Sequence, residues 1–168
     1  LSRGLRHQGA VIAQLSARAE QTYGRDKVLR LAPPFAPHAS GEVFFRDLGR
    51  QCGATFDTPD SVSFLAALGQ RLAEVGSQLL LIVGFENATP QHRRELALCM
   101  RSLCEREPTR LRIVLIGGGR LVEQKFAQAD MSALNSATLL EWPDPSSADV
   151  AAWHQAASPI TPLLPSEI

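Results

Sequence analysis

Apolar residues recur along this chain in two rhythms that alternate with each other. Over 9–22, Val11, Ile12, Leu15 and Ala19 fall at helical spacing among Gln14, Arg18 and Glu20, which predicts an amphipathic helix opening just after a glycine. Residues 26–31 (DKVLRL) predict a short strand, stopped by Ala32-Pro33-Pro34. A loop through Pro37 follows, and Phe44, Leu48 and Cys52, four apart, predict a second helix over 41–51. Thr58-Pro59-Asp60 is a helix entry with Asp60 or Ser61 as cap, and Leu65, Leu68, Leu72 and Val75 mark the buried face of that helix. Residues 78–85 (QLLLIVGF) are apolar without alternation, the pattern of a strand covered on both faces. Pro90 opens a helix to about Glu105, with Leu96, Cys99, Met100 and Leu103 on one side. Residues 111–116 (LRIVLI) predict another buried strand, ending in three glycines. A helix over 121–129, a strand over 138–142 and a short helix from Asp144 through Trp153 complete the pattern.

Strands buried on both faces and alternating with amphipathic helices predict an α/β fold. The expected architecture is a three-layer α/β/α sandwich on a mainly parallel, five-stranded sheet. Residues 1–157 read as one domain, and the proline-rich tail 158–168 as irregular. Ligands of such sheets bind beyond the carboxyl ends of the strands, so the loops after Ser2, Val83 and Ile116 are the places to look.

Composition narrows the function. Seventeen basic and 17 acidic residues cancel, which argues against a broad nucleic-acid or membrane surface. With 45% hydrophobic and 20% charged residues, the chain belongs with folded domains rather than disordered ones. Cys52, Cys99 and Cys104 form neither a disulfide framework nor a CxxC, and are expected as reduced, small core residues. The longest apolar run is far too short to span a membrane, and no leader pattern is present, although Leu1 in place of Met reads as a processed or trimmed start. These signs together predict a cytoplasmic setting.

One segment has the frame of a phosphate-binding loop. Gly4 and Gly9 stand five apart before a helix, as in GxxxxGK[ST], where backbone N–H groups wrap phosphates. In a working loop a lysine reaches the β- and γ-phosphates and a hydroxyl holds magnesium; here Ala10 and Val11 stand at those two positions. Arg6 and His7 are the side chains left to supplement the backbone. The second half of such a site is an acid at the end of a buried strand. Gly84 occupies the place expected of an aspartate, and Glu86 is the nearby acid, either a residual water-polarising carboxylate or an ordinary helix-entry charge. Arg120, after the third strand end, could reach a phosphate or simply open a helix.

Other chemistries find less support. The four histidines share no HxxxH or HExxH spacing, and no serine sits in GxSxG. The acids Asp57 with Asp60, and Glu105 with Glu107, fall on expected turns and helix ends. Cys99 and Cys104 lie on different faces of one helix, and Arg93-Arg94 is too small a cluster for a nucleic-acid footprint. Trp142 and Trp153 read as packing residues.

The order of these segments resembles a known class. The glycine loop and helix, LRLAPP, GEVFFRDLGRQCG, FLAALGQRLAE, LLLIVGFENA, MRSLCERE, LRIVLIGGGRL and MSALNSATLLEWPDPSSADV are together similar to the nucleotide-binding core of AAA+-like STAND ATPases, which are P-loop signalling NTPases. The likeness spans about residues 1–155, and the tail 164–168 resembles the start of a helical lid. The resemblance implies strand order 5-1-4-3-2 or a close variant, and the strand over 79–83 is expected beside the first strand. Members that hydrolyse ATP carry the lysine, the hydroxyl and the strand-end aspartate, which positions 10, 11 and 84 lack. What carries over is a pseudo-ATPase with degenerate Walker motifs, regulating or scaffolding a larger assembly through protein–protein contact, with homo-oligomers allowed and no cofactor. The alternative is a switch that still takes ATP or ADP with magnesium through a displaced lysine, Lys27 or Lys125. A third reading is an unrelated doubly wound domain with a small-molecule site at the same strand ends.

Overall fold

The computed structural model describes residues 8–35, 39–117, 137–138, 146–148 and 151–152. The chain divides into two compact units, one of Gln8–Thr138 and one of Leu1–His7 with Leu139–Ile168. In the second unit, residues 147–148 and 151–152 are helical, where a short helix is expected. All the other elements below belong to the first.

Among the described residues three strands form a parallel sheet in the order β1 (Val28–Leu31), β2 (Gln78–Val83), β3 (Leu111–Ile116). Val28 pairs with Leu79 and Leu31 with Ile82, while Gln78 pairs with Leu111 and Val83 with Ile116. Among the described residues four α-helices accompany them: α1 (Gln8–Tyr23), α2 (Gly41–Gln51), α3 (Ser61–Val75) and α4 (Pro90–Arg106). β2 lies in the middle, which is why five of its six residues are buried and its sequence does not alternate.

The two faces of the sheet are covered by different helices. Leu29, Leu31, Leu80 and Ile82 point into the main core, with Phe44 and Phe45 of α2, Phe64 of α3 and Leu96 of α4. The neighbouring side chains Val28, Leu79 and Leu81 point the opposite way, against Ala19 of α1. Burying one such leucine contributes roughly 1.5–3 kcal/mol, so a strand that is apolar on both faces is held from both sides. Among the described residues the fold is therefore α/β with helices on each face of a small parallel sheet.

Local chemistry sets the helix starts. The Ser40 hydroxyl, the Asp60 carboxylate and the Thr89 hydroxyl each accept from the backbone N–H three residues on. That contact satisfies a donor that the first turn leaves open. Pro90 follows Thr89 at the first helical position, where a missing N–H costs nothing. At the edge strand, the Gln51 side-chain amide takes the Ala32 N–H at 2.7 Å and donates to the Ala32 carbonyl at 3.0 Å, pairing the end of β1 as a neighbouring strand would.

Several expectations need correction. Both edges of β2 are occupied, by β1 and β3, so the strand over 79–83 cannot lie beside a strand preceding Gly4. On α3 the fully buried residue is Phe64, one position before the expected Leu65, because Phe64, Leu68 and Leu72 share the stripe facing the sheet. Leu15 is 37% exposed; of the described side chains of α1, Ile12 and Ala19 are the buried apolar ones. Cys104 is exposed and is not a core residue, unlike Cys52 and Cys99. The expected helix over 121–129, most of the strand over 138–142 and the proline-rich tail lie outside the described residues.

Candidate functional site

Because the sheet is parallel, Leu31, Val83 and Ile116 end on one edge. The chain leaves β2 through Gly84, whose N–H donates to the Ile116 carbonyl at 2.8 Å and ties the ends of β2 and β3 together. Gly84 has φ 70° and ψ 36°, the left-handed region, from which a single 3-10 turn over Phe85–Asn87 departs. A Cβ at Gly84 would lie 2.5 Å from the Asn87 side-chain nitrogen. The backbone thus favours glycine where a magnesium-binding aspartate is expected, and no carboxylate projects from that position.

Phe85 anchors the turn with no exposed surface, and Glu86 follows it, half-buried. Arg93, one turn into α4, donates through Nη1 to the Glu86 carbonyl at 3.1 Å and to the Ala88 carbonyl at 2.7 Å. Burial lowers the pKa of this guanidinium, and the nearby Glu86 charge raises it. Arg93 is therefore spent on holding the turn's backbone, with Glu86 as its electrostatic partner. Beside it, His92 is buried and its ring stacks on Phe44 at 4.5 Å and 17°, linking α4 to α2. This histidine packs in the core, and the sequence reading did not anticipate it; its placement one turn after the Thr89-Pro90 cap, on the Leu96 side of the helix, was the available signal.

The other candidates divide by location. Gly9 is exposed in the first turn of α1, and Ala10 and Val11 have helical backbone in the same turn. Gly4, Arg6, His7, Arg120 and Lys125 lie outside the described residues. The tight Gly24–Lys27 turn reverses the chain between α1 and β1, so the amino terminus of α1 lies toward the carboxyl ends of the strands. Lys27 sits immediately before β1, at the opposite end, about 13 Å of strand away from Leu31. That placement sets Lys27 away from the loops that follow the strand ends.

Among the described residues that edge presents the Glu86 carboxylate, with the Arg93 guanidinium already committed to carbonyl oxygens. Among the described residues no group of three or more His, Cys, Asp or Glu side chains could hold a metal ion, and no helix is long and apolar enough to cross a membrane. No protein-family model, curated protein or solved structure matches this chain.

Proposed function

We propose that this chain is a degenerate P-loop module, a pseudo-NTPase that regulates or scaffolds a larger assembly through protein contact and does not turn over ATP efficiently. The observation that carries the reading is Gly84, in left-handed backbone at the end of the central strand. Ala10 and Val11 support it, since neither side chain can neutralise a phosphate or ligate magnesium. The fold half of the proposal draws on strand order. Taking β1, β2 and β3 as the second, third and fourth strands of a five-stranded sheet, their adjacency is the 4-3-2 portion of 5-1-4-3-2. In that order the fourth strand, here β3, neighbours the first. Charge-assisted contacts contribute about 1.5–3 kcal/mol each, so without the lysine and the magnesium ligands a nucleotide would be held by backbone N–H groups, with Arg6 or His7 as supplements.

A magnesium-dependent ATPase assay on the purified chain tests this. The expected result is turnover at background for both the wild type and Glu86→Gln. Turnover above background that disappears in Glu86→Gln would show Glu86 acting as a water-polarising base and would overturn the proposal.

A further inference from the structure

We draw no further inference here: the strongest candidate, the groove between the 53–58 loop and α3, is lined by Arg71 and bordered by Arg46 and Arg50 as well as by Asp57 and Glu74, so its charge selects no partner, and nothing in the structure shows what covers it.

Discussion

Gly84 holds a backbone conformation that most residues enter at a cost, and that cost is measurable. With φ at 70° and the Asn87 amide 2.5 Å from the Cβ position, Gly84→Ala should destabilise the fold by about 1–2 kcal/mol in urea unfolding. Gly84→Asp should cost less than Ala does, because aspartate tolerates left-handed backbone better. If both were neutral, the turn would accept a side chain, and the missing aspartate would have no conformational cause. The cysteines make a second residue-scale prediction. Burial pushes Cys52 up from about 9.0 to about 12 and outweighs the Arg71 charge that lowers it, while burial pushes Cys99 up to about 11. A thiol with a raised folded pKa stays protonated after the unfolded thiol has ionised. Its contribution is thus complete below pH 9 and lost as pH rises toward 11–12. Urea midpoints should hold up to about pH 9 and then fall, with a smaller fall in Cys52→Ala. Asp60 has the opposite sign. Hydrogen bonds from the Ser63 backbone and side chain lower its pKa, so its cap is present above the ordinary carboxylate range and fails on acidification.

At the scale of elements, the clearest device joins α3 to the strand after α4. Arg110, just before β3, donates through Nε to the Gly76 carbonyl and through Nη2 to the Leu72 carbonyl at 2.8 Å, with Glu107 on Nη1 at 3.2 Å. It caps the carboxyl end of α3 with a charge of the favourable sign. Arg110→Met should lower stability by about 1–2 kcal/mol, discounted for a side chain that is 39% exposed, and a calorimetric melt checks it. No such long-range contact can be read from local pattern. Periodicity does place elements: the helix over 41–51 and the strand over 111–116 agree with the structure at both ends, and Pro90 and Asp60 mark the starts they should. It reads less well where tertiary packing decides. The left-handed Gly84 ends β2 at Val83 and puts Phe85 into a turn rather than the strand, and the stacking of His92 on Phe44 does not follow from spacing alone.

For the whole molecule, the sequence makes the α/β class and the parallel pairing legible, because β2 is apolar throughout and helices separate the strands. Which strand neighbours which depends on connections that span tens of residues, and the adjacency expected for 79–83 was accordingly the part that failed. Much the same holds for the site. Glu86 and Gly84 are legible as residue types, whereas the role of Arg93 in holding the turn's carbonyls needs the structure. The central claim is that the carboxyl edge of this sheet has lost the groups that grip a nucleotide. Isothermal titration of ATP and of ADP into the full chain, with and without magnesium and up to millimolar nucleotide, tests it most directly. The account predicts no saturable heat in any of the four titrations. Micromolar, magnesium-dependent binding would contradict it, and would mean that other residues have rebuilt the phosphate site.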